Sequence, residues 1–153
     1  MAFLSPFIST DRILNNALLQ SKKRIFEMLS DLLQVPDQGV SAHCIYQKLF
    51  ERERIGSTAI GQGVVIPHCR VEGINITQMA VITLLQAIDY GAADNQPVDI
   101  FIAAIFPEAV KDVHITFMAE LIKLLKQPGV TEKIRQAPSS HDLYHLLTAD
   151  THV

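Results

Sequence analysis

The sequence predicts a single α/β domain, a sandwich in which helices pack on a mixed β-sheet. Apolar residues recur at helical spacing towards both ends of the chain, and three nearly continuous apolar runs lie between them. Such runs are typical of central strands that are covered on both faces. The order of helices, then strands, then helices favours an α/β architecture. With 153 residues, of which 48% are hydrophobic and 19% charged, the chain can bury a core of its own.

The N-terminal part is predicted to be mainly helical. Residues 1 to about 18 are expected to form an irregular segment followed by a short helix. The segment Ser21 to Gln34 has a strong helical pattern, and Pro36 breaks the chain after it. A second helix is expected from about Ser41, which has the side chain of an N-cap residue, to about Arg54.

The middle of the chain is predicted to form the sheet, with strands at Gly63 to Pro67, about Ile76 to Ala87, and Val98 to Phe106. The first strand should stop at Pro67, because proline has no N–H for the ladder and a fixed φ. Beyond Pro107 the helical pattern returns, which predicts helices at about Val113 to Lys126, Thr131 to Gln136, and Ser140 to Leu147.

Charge and hydropathy exclude several classes of protein. The net charge of -3 provides no basic surface, which argues against nucleic acid as the main partner. The longest apolar run, Ile100 to Phe106, is much shorter than the roughly 20 residues that span a bilayer, so no membrane insertion is expected. The N-terminus lacks the cationic and apolar regions of a signal peptide. Two cysteines without a CxxC motif fit a reducing compartment, and the protein is expected to be cytoplasmic.

His68 is the residue with the most distinctive surroundings. It follows Pro67 directly, so it is expected at the end of a strand, with a titratable nitrogen near the surface. Spacing alone fits a structural histidine as well as a functional one. His114 begins a predicted helix and, taken alone, fits a capping or surface role.

A cluster of glycines and hydroxyl residues precedes His68. Glycine-rich backbone with hydroxyls can cradle phosphate, although the order here matches neither a P-loop nor a dinucleotide fingerprint. A flexible connector is the alternative interpretation. The residues concerned are Gly56, Ser57, Thr58, Gly61 and Gly63.

Metal binding is not expected. A histidine pair four residues apart shares one helix face but has no third ligand, and adjacent His-Cys pairs rarely aim at one ion. A cysteine–histidine catalytic dyad at His68 and Cys69 is unfavourable, because adjacent side chains on extended backbone point apart. The pairs considered are His141 with His145, His43 with Cys44, and His68 with Cys69.

One long block carries a family resemblance. The stretch Arg52-Glu53-Arg54-Ile55-Gly56-Ser57-Thr58-Ala59-Ile60-Gly61-Gln62-Gly63-Val64-Val65-Ile66-Pro67-His68 closely resembles the active-site block of the nitrogen-regulatory IIA proteins of the bacterial phosphotransferase system. These proteins belong to the mannitol/fructose IIA superfamily. Ser21-Lys22-Lys23-Arg24 resembles the family's early helix, and Asp94-Asn95-Gln96-Pro97-Val98-Asp99 resembles its turn into a central strand. The likeness extends from about Gln20 to Asp150.

The resemblance implies a mixed five-stranded sheet with helices on both faces. It implies that His68 accepts a phosphoryl group from the phosphohistidine of a small HPr-like carrier protein. His114 falls on the family's second active-site histidine, and Arg52 falls on its active-site arginine. Ser57 and Thr58, with nearby backbone N–H groups, would complete the phosphate cradle. No metal or other cofactor is implied.

The resulting prediction is one IIA-type phosphocarrier domain over residues 1–153, with a core at about 12–150. It would regulate partner proteins through its phosphorylation state. A sugar-transport IIA component that passes phosphate to a IIB domain, and a non-catalytic interaction module, are the alternatives. The family commonly has glycine after the active histidine, whereas this chain has Cys69. A side chain there can alter how backbone N–H groups approach the phosphate.

Overall fold

The computed structural model describes residues 2–109 and 111–149 and shows one α/β domain. Residues 1, 110 and 150–153 of the predicted domain lie outside the described residues. The helices are α1 (Lys22–Leu33), α2 (Ala42–Ile55), α3 (Lys111–Leu125), α4 (Val130–Gln136) and α5 (Ser140–Thr148). The strands are β1 (Ile13–Ala17), β2 (Ala59–Gly61), β3 (Val64–Val65), β4 (His68–Val71), β5 (Gln78–Ile88) and β6 (Val98–Pro107). Short 3₁₀ turns lie at Ala2–Leu4, Thr10–Arg12 and Pro36–Gln38.

The described strands form one mixed sheet in the order β1-β5-β6-β3-β2, with β4 also paired to β6. β5 and β6 are antiparallel, β1 is parallel to β5, and β3 and β4 are both parallel to β6. Val65 pairs with Phe101 and His68 pairs with Ala104, so β3 and β4 share one register against β6. They therefore occupy one position of a sheet with five strand positions, which confirms the predicted mixed sheet.

Both faces of the sheet are covered by helices, as predicted. Alternate residues of β6 point in opposite directions, since successive side chains of a strand lie on opposite faces. Ile100 and Ile102 belong to the core cluster that contains residues of α3, α4 and α5. Phe101 and Ala103 belong to the cluster that contains residues of α1 and α2. The continuous apolar run thus marks a central strand buried on both sides.

The helix starts also follow the sequence. The hydroxyl of Ser21 accepts from the N–H of Arg24 at 3.1 Å, and that of Ser41 accepts from the N–H of Cys44 at 3.3 Å. These are N-cap hydrogen bonds, which satisfy N–H groups that have no partner within the first turn. The N-caps explain why α1 and α2 begin within a residue or two of the predicted positions.

The prediction for residues 1 to 18 is wrong, because a strand replaces the expected short helix. β1 is an edge strand that pairs with β5. The hydroxyl of Thr83 on β5 donates to the side-chain oxygen of Asn15 and accepts from the N–H of Asn16, both at 2.9 Å. These contacts cross about 67 positions of the chain. A local pattern does not contain them, so long-range pairing overrides the local preference.

The glycine-rich segment before His68 is a hairpin rather than a flexible connector. β2 and β3 are antiparallel, and Gly61 pairs with Val64 across a two-residue loop. The loop residues Gln62 and Gly63 have φ values of 57° and 77°. Two successive positive φ angles are those of a type I′ turn, which suits the twist of a tight hairpin. The hairpin ends directly before the segment that carries His68.

The strand prediction at Pro67 is partly wrong. Pro67 interrupts the strand, but the strand resumes at once, so His68 begins β4 instead of ending a strand. The N–H of Ile66 turns away to the carbonyl of Thr58 at 3.0 Å, and Pro67 has no N–H to donate. The carbonyl of Pro67 accepts from the N–H of Ala104 at 3.0 Å, which returns the chain to β6.

Candidate functional site

His68 lies at the break between β3 and β4, where its ring is partly buried. Its Nδ1 lies 2.9 Å from the carbonyl oxygen of Ile66. A carbonyl can only accept a hydrogen bond, so Nδ1 must be the protonated nitrogen. In the neutral ring, the lone pair therefore resides on Nε2.

The electrostatic surroundings keep this ring neutral. Burial lowers the pKa of His68 below its ordinary value, and the electrostatic influence of Arg52 and His114 lowers it further. The hydrogen bond to Ile66 and the charge of Glu53 act in the opposite direction, but the pKa stays lowered. The neutral, nucleophilic form is consequently the main species at neutral pH.

His114 lies in the first part of α3, within electrostatic reach of His68. Its ring packs against the ring of Phe106 with centroids 5.6 Å apart. Among the side chains that the structure describes, its Nδ1 is the single buried nitrogen or oxygen without a hydrogen-bond partner. An unsatisfied buried polar atom costs about 1–3 kcal/mol. A ligand that formed a hydrogen bond with this nitrogen would remove that cost.

Arg52 occupies the last turn of α2. Its Nη1 donates to the carbonyl of Gly56 at 2.8 Å. This hydrogen bond holds the guanidinium at the C-terminal end of the helix, where a positive charge is favourable. Arg52 and His114 thus both lie within electrostatic reach of His68, and the three residues form one electrostatic cluster.

Ser57 and Thr58 have different surroundings. Ser57 is exposed, and its hydroxyl accepts from the N–H of Ala59 at 3.1 Å. Thr58 is buried, with its N–H 3.1 Å and its hydroxyl 2.5 Å from the two carboxylate oxygens of Glu53. Both polar hydrogens of Thr58 are therefore engaged inside the protein.

Sequence reasoning assigned no role to Glu53, which is 6% exposed beneath the hairpin. It also accepts a hydrogen bond from the hydroxyl of Tyr90 at 2.9 Å. A signal was present in the sequence, because Glu53 continues the buried face of α2 four residues after Leu49 and eight after Ile45. A charged residue on an apolar helix face is unusual enough to indicate a specific partner.

Cys69 does not add a second nucleophile. It packs against the core on the α1 and α2 side, whereas Ile66, two residues before His68, belongs to the core on the opposite side. Burial raises the pKa of the Cys69 thiol to about 12. The thiol is therefore protonated at neutral pH and a poor nucleophile.

The histidine pair considered as a metal ligand gains no third ligand in the described part of the chain. His141 and His145 bring their Nε2 atoms to 3.0 Å on one face of α5. Among the residues that the structure describes, no three His, Cys, Asp or Glu side chains are placed to hold a metal ion. No helix in that same part of the chain is long and apolar enough to cross a membrane.

Comparison with known families identifies the family of the whole chain. The family model described as "Phosphoenolpyruvate-dependent sugar phosphotransferase system, EIIA 2" matches residues 6–150. The chain therefore belongs to this IIA family of the phosphotransferase system, whose members are phosphocarrier components.

Within the family, the resemblance to nitrogen-regulatory proteins is confirmed. The chain is 32% identical over 147 residues to the "Nitrogen regulatory protein" of Pseudomonas aeruginosa, and the match covers 96% of both chains. The crystal structure of "Nitrogen Regulatory Protein IIA-Ntr" from Neisseria meningitidis superposes with a TM-score of 0.89 at 28% identity, covering 95% of this chain and 99% of that one. The mannitol IIA structure from Escherichia coli has a TM-score of 0.71 at 17% identity, covers 91% and 97%, and shares the fold.

Proposed function

We propose that Nε2 of His68 accepts a phosphoryl group from the phosphohistidine of an HPr-like carrier protein. The observation that carries the proposal is the 2.9 Å contact between Nδ1 of His68 and the carbonyl of Ile66. This contact holds the proton on Nδ1 and leaves the lone pair on Nε2, so the ring needs no general base before it attacks.

The transfer is a direct displacement at phosphorus. The Nε2 lone pair forms the new N–P bond while the N–P bond to the donor ring breaks, and its electron pair returns to the donor nitrogen. Nδ1 keeps its proton throughout and continues to donate to Ile66. Such reactions depend mainly on positioning and on stabilisation of the charge that spreads over the phosphoryl oxygens.

The residues around His68 would stabilise the negative charge on the phosphoryl oxygens. Arg52 would bind two phosphoryl oxygens through its planar guanidinium. His114 would donate a hydrogen bond to the phosphoryl group, supported by its unsatisfied ring nitrogen. Ser57 offers a hydroxyl at the surface, whereas Thr58 would contribute by fixing the backbone of the cradle, because its own donors go to Glu53.

We further infer that the phosphorylation state of His68 is read by regulatory target proteins in the cytoplasm. Relatives named as nitrogen regulatory proteins support this branch over direct sugar transport. The alternative, transfer from His68 to a IIB domain, has support from a fructose-specific EIIA component of Haloferax volcanii at 25% identity.

The test is labelling with radioactive phosphoenolpyruvate in the presence of the upstream carrier proteins. We expect one acid-labile, base-stable phosphate per chain, as for a phosphohistidine. A chain that stays unlabelled while the HPr-like carrier is labelled would overturn the proposal. Rapid loss of the label to an added IIB domain would favour the sugar-transport alternative.

The rate of labelling should also depend on pH in a specific direction. The pKa of His68 lies below its ordinary value near 6.5, so the rate should be level above that pH and fall only at more acidic pH. The unfolded chain binds this proton more readily, so acidification below about 6.5 should also reduce stability. An NMR titration of the His68 ring measures its pKa, and labelling from pH 5 to 8 measures how the rate depends on pH. Urea denaturation over the same pH range measures the change in stability. A pKa above 6.5 for His68 would contradict the expectation that burial dominates its surroundings.

A further inference from the structure

We propose that Glu53 is a positioning residue for His68, which it controls through Thr58 and the backbone of Ile66. The inference rests on the proposed function of His68 and deepens it. It begins with an unusual feature, a carboxylate 6% exposed in the interior. A buried ion is costly unless hydrogen bonds compensate it, so its surroundings should reveal what it does.

The groups that donate hydrogen bonds to Glu53 in the described part of the chain are neutral. The N–H of Thr58 donates to Oε1 at 3.1 Å, the hydroxyl of Thr58 donates to Oε2 at 2.5 Å, and the hydroxyl of Tyr90 donates to Oε1 at 2.9 Å. The ring of Tyr90 is itself held, with the ammonium of Lys22 4.6 Å from its centroid. Both oxygens of Glu53 therefore bind Thr58, by two separate hydrogen bonds.

Thr58 transmits this anchoring to the break in the strand. With its N–H and its side chain both bound, the carbonyl of Thr58 is directed at the N–H of Ile66, 3.0 Å away. After the break, the carbonyl of Pro67 accepts a hydrogen bond from the N–H of Ala104 at 3.0 Å. The peptide groups before Ile66 and after Pro67 are thus both fixed, one on each side of the Ile66–Pro67 peptide.

The carbonyl of Ile66 lies between these two fixed points and contacts His68. Its 2.9 Å contact with Nδ1 is what selects the tautomer with a free lone pair on Nε2. If Thr58 loses its anchor, Ile66 can move, and the ring can take the other tautomer. In that tautomer the proton sits on Nε2, so the nitrogen cannot attack phosphorus.

The matched variants are Thr58→Val and Thr131→Val. Both threonines are buried, at 5% and 6% exposure, and each hydroxyl donates to another side chain. Only Thr58 lies on the route to His68. Glu53→Gln serves as a second variant, since it removes the charge and one acceptor while preserving the shape of the side chain.

The tautomer is read from long-range ¹H–¹⁵N spectra of the His68 ring at pH 8, and the function from the labelling rate. Wild type and Thr131→Val should show Nδ1–H with unprotonated Nε2. Thr58→Val and Glu53→Gln should show an Nε2–H population and a labelling rate lower by roughly tenfold or more, as expected for a misplaced reacting group.

The outcomes separate this inference from the proposed function. Folded Thr58→Val and Glu53→Gln proteins that keep the wild-type tautomer and label at the wild-type rate would overturn the positioning role and leave His68 as acceptor. If the wild-type chain is never phosphorylated but the tautomer of His68 still changes in the two variants, the positioning role is upheld and the acceptor role is refuted. If Thr131→Val changed the tautomer as much as Thr58→Val, the specific route would be disproved.

Discussion

His68→Ala is expected to reduce phosphorylation of the chain to background, a loss of roughly 10³-fold or more, because the substitution removes the nucleophile itself. The effect on folding should be small, since the ring of His68 is only partly buried. The backbone of β4 also remains paired with β6 in the variant. Transfer of radioactive phosphate from the HPr-like carrier measures the loss, and circular dichroism verifies that the variant is folded.

His141→Ala is the matched control for this experiment. His141 is an exposed histidine on α5, outside the cluster of Arg52, His68 and His114. Its removal should leave the labelling rate within about twofold of wild type. If folded His68→Ala still carries acid-labile phosphate at a wild-type rate, another residue is the acceptor and the assignment of the site is incorrect.

Gly63→Ala is expected to destabilise the fold by about 2–4 kcal/mol, the largest stability effect that we predict for one methyl group. Gly63 has a φ of 77°, where a side chain is strained. An added Cβ would lie 2.6 Å from Nη2 of Arg135, 3.0 Å from Oδ1 of Asp99 and 3.2 Å from the carbonyl of Pro97. It would therefore push against the Asp99–Arg135 ion pair, whose Nε to Oδ2 distance is 2.8 Å.

Gly56→Ala provides the control for the loss of glycine itself. Gly56 has an extended φ of -177°, and an added Cβ there meets no atom within 4 Å. Urea denaturation of the two variants beside wild type should show a large drop in the midpoint for Gly63→Ala and a change within about 1 kcal/mol for Gly56→Ala. Equal stability of both variants would contradict the description of the hairpin.

Local patterns predicted the elements whose causes are local. α1 and α2 start where Ser21 and Ser41 supply N-caps, and the apolar periodicity of each helix extends close to its observed end. β6 was recognised because it is apolar on both faces. β1, β2 and β4 were missed, since each is short and depends on a partner strand that a local window does not contain.

The site was predictable to a similar extent. The proline before His68 and the long block from Arg52 directed attention to a histidine and an arginine that lie within electrostatic reach of each other. The orientation of the ring was not predictable, because it depends on the carbonyl of Ile66. Glu53 was missed because a charged residue in a helix is usually solvated, and only the fold shows that it faces Thr58 and Tyr90.

The most direct test of the central claim is an NMR spectrum of the phosphorylated chain that identifies the ring nitrogen bonded to phosphorus. We predict a ³¹P coupling to Nε2 of His68, with the proton retained on Nδ1, because Nδ1 is bound to Ile66 before and after transfer. Coupling to Nδ1 of His68, or to the ring of His114, would contradict the account.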